Sequence, residues 1–144
     1  MAERPKFDVS VVTPDGPAFE GDVEMLIVPG AAGEIGVLAR HAPLVATLKA
    51  GSTRAYRSVD GDDVVELATG PGFFKVELDR AIALVDDAVD AKQIDPKRAQ
   101  EQLDAARAEL ERVDRGESQA DRWQLEQRIK HAENQLRVSE TPLG

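Results

Sequence analysis

The chain changes its hydrophobic period once, and that change limits what it can fold into. Up to about residue 86 the apolar residues come in short runs, β-branched or alternating. They are Phe7–Thr13 (FDVSVVT), Val23–Val28 (VEMLIV), Leu44–Leu48, Ser52–Val59, Val64–Ala68, Phe73–Leu78 and Ala81–Val85. Turn chemistry separates them, as at Pro14-Asp15-Gly16, Asp60-Gly61-Asp62 and Gly70-Pro71-Gly72. Short strands at close spacing, cut by glycine and proline, predict an all-β sandwich or barrel.

Beyond Asp95-Pro96 the period becomes helical. Aspartate is a good N-cap, and proline suits the first helical position. Ala99, Leu103, Ala106, Leu110 and Val113 then follow at helical spacing, and Arg115-Gly116 supplies a cationic last turn and a stop. Ser118 or Asp121 opens a second helix, along which Leu125, Ile129, Ala132 and Leu136 repeat the spacing until Pro142. Two helices of about 18 residues, each roughly 27 Å long, joined by a short linker predict an antiparallel hairpin. The expected organisation is a β-sandwich over residues 1–88 and a two-helix hairpin over residues 89–144. The apolar stripe of the hairpin is thin, with alanines between its six large members. At about 1.5–3 kcal/mol per buried side chain it only modestly exceeds the cost of ordering the helices. The pattern therefore allows both a folded hairpin and one that opens when a better surface is offered.

Composition removes several functions. The 144 residues carry a formal charge of −9 and only 4% aromatics, the opposite of a nucleic-acid footprint, so no nucleic-acid partner is expected. Residues 1–90 hold 8 Lys/Arg against 16 Asp/Glu, whereas residues 91–144 hold 10 against 11, so the negative charge belongs to the β part. There is no cysteine, hence no disulfide, thiol nucleophile or thiolate metal site. The N-terminal MAERPKFDV has no apolar segment like a signal peptide, and no apolar run approaches the roughly 20 residues that span a bilayer. Direct membrane insertion is not expected.

The densest punctuation lies in Pro29–Leu44, PGAAGEIGVLARHAPL, with three glycines, two prolines and one of the two histidines. It reads as a shaped turn surface rather than regular structure. Gly30-x-x-Gly33-x-x-Gly36 lacks the lysine and hydroxyl of a phosphate loop and precedes a strand, so it reads as a structural turn. His41 stands without companions for a metal set, and Glu34 reads as a solvated carboxylate. No acid, base and nucleophile converge. Ile94-Asp95-x-x-Arg98-Ala99 reads as an ordinary N-cap with an i,i+3 ion pair, near helix-terminal amides that favour anions.

These residues resemble the epsilon subunit of F-type ATP synthases. That family reads PGxxGE-[IL]-G-[VI]-x-P-x-HAPL where this chain has PGAAGEIGVLARHAPL. VVTPDG, LKAG, GFFKV and IDPKRA occur in the family's order across nearly the whole chain. Two departures are Ala39, in place of the proline of the LPxH segment, and Pro71-Gly72, in place of a glycine pair. The resemblance implies a ten-stranded sandwich at the foot of a central stalk, bound to the gamma subunit and the membrane c-ring, with no catalysis of its own. It implies a ring-facing loop at Ala31, Gly33 and Glu34, and His41 against gamma. It implies a hairpin that lies folded or extends into the alpha/beta catalytic hexamer and restrains ATP hydrolysis. The expected location is the cytoplasmic face of the cell membrane, peripheral to it.

Some members of that family bind ATP through I-D-x-x-R-A, matched here by Ile94, Asp95, Arg98 and Ala99. The family's later arginine positions fall on Ala105, His131 and Gln135, and an upstream acidic position falls on Val89. ATP is therefore expected as a weak regulatory ligand or none, and no other cofactor is implied. A second reading is a free adenine-nucleotide-sensing adaptor whose hairpin closes on ATP, separable from the first by nucleotide titration and by co-purification with a gamma-like partner.

Overall fold

The computed structural model describes residues 4–141, in which ten strands precede two long helices. Strand β1 (Phe7–Thr13) buries Phe7, Val9 and Val11, every second residue, as a pleated strand with one covered face must. It pairs with β2 (Gly16–Val23) on one side and, in parallel, with β9 (Arg80–Val85) on the other. Strand β8 (Gly72–Leu78) joins β9 to β5 (His41–Leu48), which completes a five-strand layer. The other layer is built on β3 (Met25–Gly30), flanked by β4 (Gly33–Leu38) and by β6 (Gly51–Tyr56). Strands β7 (Val64–Thr69) and β10 (Ala88–Asp90) extend it to five strands. Leu26, Val28, Val37, Ala55 and Leu67 from this layer share one core cluster with Phe7, Val9, Phe74, Val76 and Ala83 from the first. Two inner faces around one core make a β-sandwich.

The layers are joined at one residue. Leu48 pairs with Gly30 of β3 and also with Gly72 of β8. Both glycines sit where a side chain has no room. A Cβ on Gly30 would lie 2.6 Å from the Gly33 carbonyl oxygen, and one on Gly72 would collide with the Leu84 carbonyl.

Three sequence expectations change. Pro29–Leu44 is not an irregular turn surface. Its first half pairs with β3 from Met25↔Leu38 to Gly30↔Gly33, leaving a tight turn at Ala31-Ala32, and its end enters β5 after Ala39-Arg40. The glycines there permit a close hairpin and do not break it. The run Val23–Val28 splits at Glu24, because Val23 pairs with Phe7 in one layer while Met25 pairs with Leu38 and Tyr56 in the other. The chain crosses at Glu24, whose buried carboxylate accepts a hydrogen bond from the Val59 amide at 2.8 Å. Strands β2 and β10 were not readable. Pro17 and Gly21 blur the alternation of β2, which as an edge strand tolerates proline, and β10 has three residues.

Helix α1 (Pro96–Asp114) starts at Asp95, whose Oδ1 accepts from the amides of Lys97 and Arg98 at 3.1 and 3.4 Å. It ends in a Schellman pair, Gly116 N–H to Val113 O and Glu117 N–H to Arg112 O, with Gly116 at φ 74°. Helix α2 (Arg122–Glu140) is capped by Asp121, not by Ser118. Arg122 pairs with Asp114, and Arg107 lies 3.4 Å from Glu133, the register of an antiparallel hairpin. Pro142 lies outside the described residues. By backbone contacts the chain divides into Met1–Ala91 and Lys92–Gly144, with β10 in the first unit.

Replacing Gly72 with Ala forces β8 and β9 apart and is expected to destabilise the protein by about 3 kcal/mol or more in urea unfolding. Gly36→Ala, where a Cβ meets nothing within 4 Å, is the control and should change stability by less than about 0.5 kcal/mol. Equal effects would refute the packing argument.

Candidate functional site

Strand β4 is six residues long, so its two ends lie about 20 Å apart. Each end carries an expected contact residue. At its start, Ala31, Ala32, Gly33 and Glu34 are all exposed, while Pro29 and Gly30 just before them are buried. The tip is tied down by Ala31 N–H to Thr47 O and Lys49 N–H to Pro29 O, both 2.9 Å. Ala31, Gly33 and Glu34 are thus brought together on one short, well-held projection. Glu34 is not simply solvated. Its Oε2 accepts from Arg54 Nη2 at 2.5 Å, with side-chain exposures of 62% and 22% for Glu34 and Arg54. A pair this exposed adds at most about 1 kcal/mol to stability.

At the other end, His41 opens β5 and is half-buried. Its Nδ1 lies 2.6 Å from the Ala42 carbonyl oxygen. A carbonyl only accepts, so Nδ1 carries the hydrogen. His41 is in register with Leu78. Arg40 (φ 61°) and Leu78 (φ 53°) are the non-glycine residues with positive φ among the described residues. Left-handed backbone costs a non-glycine residue about 1–2 kcal/mol, and such strain collects at functional surfaces. Leu78 is also 60% exposed. At the opposite end of β5, beside the tip, the outer face of this layer carries the cross-strand row Thr47, Phe73, Leu84 and Val12, with Val45 one step along β5. Phe73, Leu84 and Val45 are exposed. Clustered exposed apolar side chains mark an interaction surface. Sequence reasoning missed these residues. The Phe73-Phe74 pair held the signal, since adjacent strand residues must face opposite ways.

The start of α1 is an N-cap. Asp95 uses Oδ1 on the helix amides, and no Asp95–Arg98 ion pair forms among the described residues, so the expected i,i+3 pair is absent. Ile94 is half-buried, and Arg98 and Ala105 are exposed. Along the hairpin, Ala99, Leu103, Ala106, Leu125 and Ala132 are buried, whereas Leu110, Val113, Ile129 and Leu136 are half-buried. Asn134 and Val138 are buried as well, although they lie off the heptad stripe. Among the described residues, no group of His, Cys, Asp and Glu is arranged to hold a metal ion, and no helix is long and apolar enough to cross a membrane.

The turn between the helices is held by Ser118, whose Oγ donates to Glu109 Oε1 at 2.5 Å, and Arg112 lies 2.9 Å from the other oxygen. The Ser118 hydroxyl first, and Arg112 next, hold the Glu109 carboxyl below its ordinary value, and Asp114 raises Arg122. A depressed carboxyl stabilises the fold above its unfolded pKa and loses that effect as pH falls through the folded one. The turn is therefore expected to loosen only in acid, below the usual carboxylate range. Ser118→Ala should move the Glu109 midpoint upward in a side-chain NMR titration, and an unmoved midpoint would contradict the assignment.

Residues 6–91 match the family model described as ATP synthase, Delta/Epsilon chain, beta-sandwich domain. The ATP synthase epsilon chain of Bacillus cytotoxicus is 38% identical over 133 residues, 92% of this chain and 96% of that one. The epsilon chain of Desulforamulus reducens is 34% identical, with 97% of this chain and all of that one covered. In fold, the chain is similar to one in the cryo-EM structure of the Euglena gracilis mitochondrial ATP synthase, OSCP/F1/c-ring. There the TM-score is 0.67 at 22% identity, over 92% of this chain and 81% of the other. With a sandwich of this topology, a helical hairpin and relatives matched along most of their length, this chain belongs to the ATP synthase epsilon-chain family.

Proposed function

We propose that this chain is a central-stalk rotor subunit that couples the gamma subunit to the c-ring of an F-type ATP synthase. In this role it sits at the cytoplasmic face of the cell membrane and performs no bond chemistry itself. The observation that carries the reading is the arrangement of β4, with an exposed, tied-down tip at Ala31–Glu34 and a strained end beside His41 and Leu78. Torque passes between two partners only through a body that holds two contact surfaces at fixed separation. A strand paired along its whole length provides that. The tip faces the ring, and the end with His41 and Leu78 faces gamma. The names of the relatives, and the occurrence of a similar fold in a c-ring complex, support the assignment.

The hairpin is the regulatory part. Four of its nine stripe residues are only half-buried, so its packing leaves room for an extended form that enters the alpha/beta hexamer and restrains hydrolysis. ATP is not a strong ligand in this reading. Asp95 spends an oxygen on capping, and Ala105, His131 and Gln135 supply no guanidinium. Each charge-assisted contact so lost is worth about 1.5–3 kcal/mol.

Reconstitution of the synthase with and without residues 92–144 tests both parts. Hydrolysis should rise severalfold without the hairpin while gradient-driven synthesis persists. Unchanged hydrolysis, with the sandwich still incorporated, would remove the regulatory role, and lost synthesis would remove the assignment of coupling to the sandwich.

A further inference from the structure

Arg54 on β6 is in register with Glu66 on β7, the opposed pair that cross-strand electrostatics favours. One oxygen of Glu66 is engaged elsewhere, since Ser52 Oγ donates to its Oε2 at 2.6 Å. Arg54 turns the other way. It crosses β3, where its register neighbour is Ile27, and donates to Glu34 on β4 at 2.5 Å. The two ends of this bond differ. Arg54 is rooted in the sheet at 22% side-chain exposure, with a buried Nε that has no acceptor among the described residues, while Glu34 stands at the tip with 62% exposed. A cation locked by packing on a central strand fixes the mobile carboxylate that it holds. Such an arrangement confers little stability on an exposed pair. What it confers is orientation, and a pre-oriented carboxylate loses less side-chain freedom when it docks.

Resting on the ring-facing role proposed for the tip, we infer that Arg54 is a positioning residue that holds the Glu34 carboxylate in the orientation offered to the ring. Ser52 favours that arrangement by engaging one oxygen of Glu66, the competitor for Arg54. The contact at the tip therefore depends on a row of four side chains, Glu66, Ser52, Arg54 and Glu34, on three different strands. Nothing in the tip sequence itself reveals the other three.

The test is rebinding of F1 carrying the full-length chain to ring-containing membranes stripped of F1, by titration, with thermal unfolding of each variant alongside. Glu34→Gln and Arg54→Gln should each weaken rebinding about fivefold, and the double variant no more than Glu34→Gln alone. Ser52→Ala should give a smaller loss that Glu66→Gln reverses in the same chain, with unfolding temperatures little changed throughout. A purely structural role for Arg54 would lower its unfolding temperature and add to Glu34→Gln, which overturns the inference. If Glu34→Gln has no effect, the ring-facing reading of the tip falls and this inference falls with it. If Glu34→Gln weakens rebinding but Arg54→Gln does not, the reading of the tip stands and the positioning role is overturned. Should Arg54→Gln fail to fold, the Ser52→Ala and Ser52→Ala/Glu66→Gln comparison decides, and the absence of both loss and rescue counts against Arg54.

Discussion

The fold depends on the pairing of Leu48 with two glycines. Its backbone meets Gly30 on one side and Gly72 on the other, and through that contact two five-strand layers become one continuous sheet folded around a shared core. Any Cβ at either glycine would meet backbone oxygen, which a flexible neighbour cannot relieve. The short run Leu44–Leu48 thus carries more of the architecture than its length indicates. Leu48 itself is fully buried, so the joint is also part of the core.

Consequences for the rest of the chain follow from that joint. With the layers fixed, β4 is held along its length by β3, and Ile35 and Val37 face the core while Glu34, Gly36 and Leu38 face outward. The tip before it and the strained turn after it are then two ends of one rigid element. In the proposed rotor role, that separation is what allows one small domain to serve two partners. The hairpin is built differently. Its ends are sharply defined by Asp95, Asp121 and the Gly116 stop, but its stripe is alanine-rich and partly exposed. Well-capped helices with a weak contact between them move as intact units when the contact is exchanged for another.

Much of this was legible in the residues, and the reasons for the rest are physical. Strand β1 alternates cleanly, β8 and β9 are short apolar runs bounded by turn residues, and both helices announce their starts through aspartate caps. Pro29–Leu44 misled because glycine and proline mark turns, tight hairpins and close backbone approach with the same letters, and only register separates the three. Leu78 could not be recognised as exposed, since a leucine at the end of an apolar run looks like core until its positive φ is known. The Arg54–Glu34 pair spans 20 positions and crosses an intervening strand, so no local pattern encodes it. The family resemblance named the tip residues, but it did not reveal what holds them.

The central claim is that the two ends of β4 meet different partners at the same time. The chain has no cysteine, so single cysteines can be placed without background. Glu34→Cys and Leu78→Cys in the assembled synthase, each carrying a short photo-reactive cross-linker, test the claim directly. The account predicts that position 34 links to the ring and position 78 to gamma, and that neither link stops rotation, because the linked parts turn together. Both positions linking to one partner, or neither linking to any, would contradict it.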